Sequence, residues 1–318
     1  MSRTALLVGI DQYDNLPALD CCVEDAKAME SALKRNDDLS KNYDTLTITT
    51  EGRVATLRMD NPPVNVITRE LLVDLLKATE ELAADESTTV LVLESANPEF
   101  FIAHFDVAAL LSTDRAEPTG PPEELNVFDQ LCERFRTMSK VTIAKIAGRV
   151  GGGGSEISMA CDMRYGALGK AIVNQMEVPI GILPGGGGTQ RLPRLVGWGR
   201  ACEVILGGVD LDAETGERWG YFDRSLPADE LDDFVHDLAH RIGSFPPEAV
   251  RKAKTAMLEG APDPTPGLLR ESFRFNQLMA TETATAAMQR FLDLGGQTPE
   301  GERRVDEISA QAARDIDT

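Results

Sequence analysis

No run of apolar residues in this chain of 318 residues reaches the length of about 18 that a membrane-spanning helix needs. Near the start, residues 5–10 are apolar, but Asp11 follows at once. Such a short run cannot form the apolar segment of a secretory signal. We therefore expect a cytoplasmic protein with no membrane partner.

Cysteine and basic residues are both in short supply. The five cysteines are odd in number and include no Cys-x-x-Cys spacing, so neither a disulfide framework nor a zinc site is indicated. With 32 basic residues against 52 acidic ones, the net charge is -20. A charge of this sign repels phosphate backbones, and we expect no nucleic-acid partner.

The pattern of apolar residues predicts an α/β fold. The length is about twice the ~150 residues of a typical domain, which favours one large domain with an appendage or two small domains. Buried strands predicted at residues 90–93 and 141–147 are interleaved with amphipathic helices, one of them over residues 123–138. Beyond residue 228 the chain is predicted to be helical to about residue 294. A polar tail, residues 295–318, is expected to fray.

Two tracts of four glycines, residues 151–154 and 185–188, are the most informative features. Neither is followed by the lysine of a phosphate-binding loop. The third glycine of a dinucleotide-binding motif is replaced by Glu156 after the first tract and by Gln190 after the second. Both nucleotide-binding interpretations therefore fail.

The first tract also fails as a serine nucleophile elbow, since Ile157 stands where the motif centred on Ser155 needs a second glycine. What remains is a strand, a backbone that can approach a ligand closely, and a helix N-terminus with Glu156 in its first turn. Free amide groups there can stabilise an oxyanion while a carboxylate moves a proton, which suits chemistry on a carbonyl. The alternative is that Glu156 only complements the helix dipole.

Five segments together resemble the crotonase (enoyl-CoA hydratase/isomerase) superfamily. They are MDNPPVN at 59–65, FIAHFD at 101–106, GGGGSEISMACD at 151–162, EVPIGILPGGGGTQRLPRLVG at 177–197 and EVILGG at 203–208. The resemblance implies an α/β spiral of ββα repeats over residues 43–228, with a helical region at 229–294 that builds homotrimers or dimers of trimers. It also implies an acyl-CoA thioester substrate and no cofactor, because coenzyme A is part of the substrate.

The resemblance assigns residues by motif position. The two main-chain N–H groups that hold the thioester oxygen fall on Phe105 and Gly153. The acid/base pair falls on Glu156, expected to activate water, and Glu177, expected to protonate the α-carbon, although the two can share one water and exchange roles. Further substrate-binding positions fall on Ala103, His104, Val107 and Gly152.

Hydration of a 2-enoyl-CoA is the expected reaction because both carboxylates are present. In hydration, one group must take a proton from water and another must deliver a proton to the α-carbon, whereas isomerisation needs only one acid. Double-bond isomerisation, hydrolysis and decarboxylation stay open, as does a catalytically silent interaction protein. Two departures from the family bear on the choice: His104-Phe105 replaces a small Gly-Ala pair, and residues 292–295 bring no lysine for the nucleotide part of coenzyme A. His104 is expected either to join the chemistry or to be a packed, hydrogen-bonded imidazole.

Two regions carry weaker signals. His236 and His240 stand four apart on a predicted helix, a spacing compatible with a metal, but the sequence shows no third ligand. We therefore predict a solvated helix face and no metal site. Residues 1–42, with TALLVGIDQY at 4–13 and NLPALDCCVEDAKAM at 15–29, resemble the first strand and helix of caspase-like (peptidase C14) domains. The catalytic histidine and cysteine of such peptidases do not follow, so a non-catalytic appendage is expected.

Overall fold

The computed structural model describes residues 43–113 and 116–314. The predicted caspase-like strand and helix at residues 1–42 lie outside the described residues, as do residues 315–318. In the described part of the chain the strands are β1 (Leu46–Glu51), β2 (Val54–Met59), β3 (Val90–Ser95), β4 (Phe100–Ile102), β5 (Val141–Ile146), β6 (Arg149–Gly151), β7 (Met163–Ala167), β8 (Ile172–Asn174), β9 (Leu211–Asp212) and β10 (Arg224–Leu226).

The strands form two sheets. The larger has the order β1-β2-β3-β5-β7-β10, in which β1 and β2 are an antiparallel hairpin and the other neighbours are parallel. The smaller has the order β4-β6-β8-β9 and is parallel except for its last pair. Parallel neighbours need long crossovers, and helices supply them. The α/β class expected from the sequence is confirmed.

Helices cover the sheets and extend the chain beyond them. They are α1 (Arg69–Ala84), α2 (Val107–Leu111), α3 (Val127–Thr137), α4 (Gly152–Ala160), α5 (Gly188–Val196), α6 (Trp198–Gly207), α7 (Ala213–Trp219), α8 (Leu231–Gly243), α9 (Pro247–Glu259), α10 (Thr265–Met279), α11 (Glu282–Asp293), α12 (Pro299–Glu302) and α13 (Val305–Arg314). None of the helices within 43–113 and 116–314 is long and apolar enough to cross a membrane.

Helix α4 is buried on every side, and this burial positions the site. All nine of its residues are buried, including Ser155 and Glu156. Its apolar side chains join the main core, which α1 and α3 cover with residues such as Leu71 and Phe135. Inside such a core a polar side chain must find a hydrogen-bond partner. Ser155 meets the Tyr221 hydroxyl at 2.9 Å, and Glu156 meets the second glycine tract, as described below.

The C-terminal tail corrects the sequence prediction of a frayed segment. Residues 299–314 form α12 and α13, and α13 buries Val305, Ile308 and Ala312. These side chains share a cluster with Phe291 of α11. Their spacing of three and four residues is that of an amphipathic helix. The surrounding charged residues hid this pattern in the sequence, so the prediction for residues 295–314 was wrong.

Candidate active site

The first glycine tract lies against the strand that precedes Phe105. A Cβ atom on Gly151 would lie 2.5 Å from the carbonyl oxygen of Ala103, and one on Gly154 would lie 2.5 Å from that of Ile102. Contacts this close leave no room for a side chain, because the neighbouring atoms belong to the backbone. The tract thereby brings the N-terminus of α4 against the backbone of residues 102–104.

Two main-chain N–H groups at this contact have no acceptor within the described residues: those of Phe105 and Gly153. Ile67 donates to the His104 carbonyl at 2.8 Å and accepts from Asp106 at 3.2 Å. In a parallel bridge of this kind the N–H of the intervening Phe105 points to the other side. Gly153 lies in the first turn of α4, where N–H groups lack intrahelical partners. Two unsatisfied donors therefore lie on adjacent segments.

One aromatic ring, that of Phe128 on α3, lies beside both residues. It packs edge-to-face on the Phe105 ring with centroids 5.5 Å apart. A Cβ atom on Gly153 would lie 3.1 Å from the Phe128 ring and 3.0 Å from Cδ1 of Ile67. The donors therefore border an apolar wall, where hydrogen bonds are stronger than in water. Sequence reasoning did not identify Phe128, since its spacing on a helix was that of a core residue.

Glu156 is held by the second glycine tract. Its Oε1 atom accepts hydrogen bonds from the N–H groups of Gly186 at 2.7 Å and Gly188 at 2.8 Å. Burial raises the pKa of this carboxyl, whereas these two donors and the nearby Arg191 guanidinium lower it. Hydrogen bonds donated to a carboxylate stabilise its charged form. The net shift is upward, but Glu156 has a built-in set of donors for its anion.

Glu177 contacts the first tract, and one of its two carboxyl oxygens has no hydrogen-bond donor among the described residues. A Cβ atom on Gly152 would lie 2.8 Å from its Oε1 atom. Its Oε2 atom is buried with no hydrogen-bond partner among the described residues. Burial, followed by the charge of Glu156, raises its pKa well above the usual range. The two carboxyls therefore differ in environment: two main-chain donors favour the charged form of Glu156, whereas the Oε2 atom of Glu177 has no donor and burial favours its protonated form.

Two further buried acids, which sequence reasoning missed, lie near this pair. Glu271 on α10 accepts hydrogen bonds from the N–H groups of Gly187 at 2.6 Å and Thr189 at 3.0 Å, and also from the Thr189 hydroxyl. Burial and the charge of Glu156 raise the pKa of Glu271 to about 8. The same two causes raise the pKa of Asp129 on α3 to about 8. No motif marks these acids, since each sits within an ordinary amphipathic helix.

The His104 ring contacts residues of the C-terminal helices. Its Nε2 atom lies 3.0 Å from Oε1 of Glu302, and its Nδ1 atom 2.7 Å from the Phe105 carbonyl oxygen. The ring packs edge-to-face on Phe291 at 5.7 Å. Burial opposes protonation, but the Glu302 carboxylate raises the pKa of His104 overall. Of the two expectations for this residue, the geometry favours the packed, hydrogen-bonded imidazole.

The other predicted substrate-binding positions surround the same segment. Ala103 is buried, and its N–H donates to the Val64 carbonyl at 3.2 Å. Val107 begins α2, and its N–H donates to the Gln297 side-chain oxygen at 2.7 Å. Gly152 begins α4 at a φ of 43°, a conformation that favours glycine. The fold thus gathers all eight residues singled out from the sequence around two adjacent backbone segments.

Comparison with known proteins identifies the family. A family model described as Enoyl-CoA hydratase/isomerase matches residues 49–297. A short-chain-enoyl-CoA hydratase of Clostridium acetobutylicum is 30% identical over 76% of this chain and 92% of its own length. A crotonyl-CoA hydratase of Syntrophomonas wolfei is 31% identical over 79% of this chain and 96% of its own.

A solved structure gives the same result. A Streptomyces avermitilis protein proposed to be an enoyl-CoA hydratase superposes with a TM-score of 0.79, at 38% identity, over 86% of this chain and all of its own. The family match begins at residue 49, so the caspase-like resemblance of residues 1–42 stays a prediction. The crotonase-like fold and family predicted from the motifs are confirmed: the chain is an enzyme of the enoyl-CoA hydratase/isomerase family.

Proposed function

We propose that this protein hydrates a 2-enoyl-CoA thioester. The observation that carries the proposal is the placing of two buried carboxyls, Glu156 and Glu177, in unlike environments beside two unsatisfied N–H groups. Addition of water across a conjugated double bond needs a group that accepts a proton and a group that donates one. It also needs donors for the negative charge that develops on the thioester oxygen.

The N–H groups of Phe105 and Gly153 are proposed to hold the thioester oxygen. Negative charge reaches this oxygen when a nucleophile adds to the β-carbon, and two preset donors stabilise it without reorganisation. The apolar wall around Phe128 supports this role, since exclusion of water strengthens both hydrogen bonds. The proposal requires both nitrogens to approach one oxygen to about 3 Å in a thioester complex.

The two glutamates are proposed to divide the proton transfers. Glu156, with its two amide donors, serves as the carboxylate that takes a proton from water while the water oxygen bonds to the β-carbon. The electron pair of the double bond moves toward the thioester oxygen as an enolate. Glu177, whose pKa is raised well above its usual range, then gives its proton to the α-carbon. Return of the proton from Glu156 to Glu177 through a shared water restores both groups, so water and the enoyl thioester together account for every atom of the 3-hydroxyacyl product.

The test is an assay of the purified chain on a panel of acyl-CoA thioesters, with the products identified by mass spectrometry. A 2-enoyl-CoA is expected to gain the mass of one water, about 18 Da, as two proton transfers and one oxygen addition require. A shifted double bond without a mass change would identify an isomerase. Free coenzyme A would identify a hydrolase, and loss of carbon dioxide a decarboxylase. Failure to turn over any thioester would support the alternative that the chain is a catalytically silent interaction protein.

We also propose that the active protein is a homotrimer or a dimer of trimers in the cytoplasm. Support for assembly comes from large apolar side chains that the single chain leaves exposed: Trp198 at 77%, Leu206 at 65% and Met257 at 70%. Exposed apolar side chains of this size are candidates for a contact surface between chains. Light scattering during size-exclusion chromatography is expected to give three or six chains per particle, and a monomer would contradict the proposal.

A further inference from the structure

The two histidines that the sequence placed on one helix face meet a third candidate ligand in the folded chain. His236 and His240 lie one turn apart on α8, and Glu51 is the last residue of β1. Oε2 of Glu51 lies 3.8 Å from Nε2 of His236 and 3.7 Å from Nε2 of His240. One ligand atom from each residue lies within 4.8 Å of the other two. Tertiary structure thus supplies the ligand that the sequence lacked.

We propose that Glu51, His236 and His240 bind a divalent transition-metal ion of the Zn²⁺ class. Two imidazole nitrogens and one carboxylate oxygen are a common three-residue donor set for zinc, with water in the fourth position. The imidazoles disfavour Mg²⁺ and Ca²⁺, which prefer oxygen ligands. This proposal replaces the sequence prediction that no metal site exists here.

The two distances from Glu51 fit such an ion with small adjustments, and the ligand atoms of the two histidines lie within 4.8 Å of each other. In a tetrahedral site with metal–ligand bonds of about 2.1 Å, ligand atoms are about 3.4 Å apart. The two distances from Glu51, 3.8 and 3.7 Å, therefore need to close by only about 0.3–0.4 Å. Exposed side chains make such a movement easily: the Glu51 side chain is 77% exposed and that of His236 57%. Solvent can therefore deliver the ion without any opening of the fold.

The surroundings of the histidines also suit a cation. Oδ1 of Asp237 lies 3.5 Å from Nδ1 of His236, on the side of the ring away from Glu51. A carboxylate at the second ring nitrogen can orient an imidazole whose other nitrogen binds a metal. The centroids of the two imidazole rings are 4.2 Å apart and the ring planes are tilted by 38°, so the two side chains are close neighbours. The net charge of -20 adds a general attraction for cations.

A bound ion would link the end of β1 to α8. Helix α8 packs on the larger sheet through Leu231, Val235 and Ala239. A ligand that binds only the folded arrangement stabilises the folded state. The proposed ion is therefore a stabilising clamp between a hairpin and a helix. None of the residues assigned to the proposed hydration chemistry takes part in it.

The test is calorimetric titration of the untagged full chain with ZnCl₂, paired with thermal denaturation. One ion is expected to bind per chain, and Zn²⁺ at roughly tenfold its dissociation constant is expected to raise Tm by about 2–4 °C. His240→Ala is expected to weaken binding at least about 100-fold, because it removes a ligand rather than an outer partner. Asp237→Asn is expected to weaken binding by about tenfold. MgCl₂ is expected to leave Tm unchanged.

A matched pair of carboxylate variants completes the test. Glu51→Gln is expected to weaken Zn²⁺ binding, whereas Glu259→Gln, at another exposed position, is expected to bind as the unaltered chain does. Absence of binding in the unaltered chain would overturn the proposal. Binding that is unchanged in His240→Ala would overturn it too, because the ion would then lie elsewhere, for example on Cys202. Circular dichroism of each variant without metal confirms that a loss of binding does not reflect unfolding.

Discussion

The two glycine tracts have the same composition but different contacts. In Gly151–Gly154 the absence of side chains lets two backbones touch, and the N–H groups of the helix start stay open. In the second tract, Glu156 accepts hydrogen bonds from the N–H groups of Gly186 and Gly188, and Glu271 accepts from Gly187 between them and from Thr189, which follows the tract. The first tract therefore allows close backbone approach, whereas the second holds two side-chain carboxyls.

This difference explains why no phosphate-binding motif appears in either tract. A helix N-terminus with free N–H groups attracts anions. The N–H groups of Gly186, Gly187 and Gly188 in the second tract already have acceptors, the buried side-chain carboxyls of Glu156 and Glu271. In the proposed mechanism, the open N–H group of Gly153 in the first tract binds an oxygen that becomes negative only during the reaction. Glycine runs must therefore be interpreted from the groups that their N–H donors face.

Alanine replacements in the two tracts should have the largest effects, on stability in the first tract and on turnover in the second. In Gly154→Ala the new Cβ meets the Ile102 carbonyl oxygen at 2.5 Å and the Ile102 Cβ at 2.6 Å. Backbone cannot give way, so we expect a loss of at least about 3 kcal/mol of unfolding free energy, measured by urea denaturation. In Gly186→Ala the methyl meets the Phe128 ring and the Glu156 carboxylate, which can rotate. That variant is expected to fold and to lose turnover by about 100-fold, because the carboxylate is displaced.

Gly199→Ala provides the control, because a Cβ atom there meets nothing within 4 Å. It is expected to leave turnover unchanged and stability unchanged or slightly higher. The comparison of the tracts would be wrong if Gly154→Ala were as stable as this control. It would also be wrong if Gly186→Ala retained full turnover.

The His104–Glu302 pair braces the segment beside the first tract, and its effect should depend on pH. The pKa of His104 is raised and that of Glu302 is lowered. The histidine contribution to stability is therefore complete below its unfolded pKa of about 6.5 and is lost as pH rises through the raised value. The glutamate contribution is present above its unfolded pKa of about 4.3 and is lost as pH falls through the lowered value.

Glu302→Gln should remove this dependence and cost about 2 kcal/mol of unfolding free energy near pH 6, as for a hydrogen bond between charged groups. Unfolding free energies by urea denaturation between pH 5 and about 9 provide the measurement. The nearby, exposed Glu300→Gln is the matched control and should follow the unaltered chain. If Glu302→Gln gave the same pH dependence as the unaltered chain, the pair would not be ionised as described.

Replacement of Glu271 should have a smaller effect, on the pKa of Glu177 and on the turnover rate. Its charge is one cause of the raised pKa of Glu177. In Glu271→Gln that charge is absent, so Glu177 should lose its proton at lower pH, and the alkaline limb of kcat/KM should move to lower pH. Turnover near neutral pH should fall by about tenfold through the loosened tract. Glu282→Gln, on the exposed face of α11, should change neither property.

The sequence predicted the family and the pair of glutamates, because both depend on local motifs. Glu156, Glu177 and Phe105 all lie within the quoted segments, and Phe105 is part of the recognisable His104-Phe105 departure. Glu271 could not be found in this way, since its contact with Gly187 joins residues 84 positions apart. The His104–Glu302 contact spans 198 positions. Partners at such separations are determined by packing, which apolar periodicity does not encode.

The most direct test of the account is the pH dependence of kcat/KM for 2-enoyl-CoA hydration by the unaltered chain, Glu156→Gln and Glu177→Gln. For the unaltered chain, kcat/KM plotted against pH should be bell-shaped: it rises on the acid side as the Glu156 carboxyl ionises and falls on the alkaline side as Glu177 loses its proton. Each variant should lose at least about 100-fold in rate while still binding thioester. Glu156→Gln should keep only the alkaline fall due to Glu177, and Glu177→Gln only the acid rise due to Glu156. Full activity in either variant would contradict the division of roles between the two glutamates.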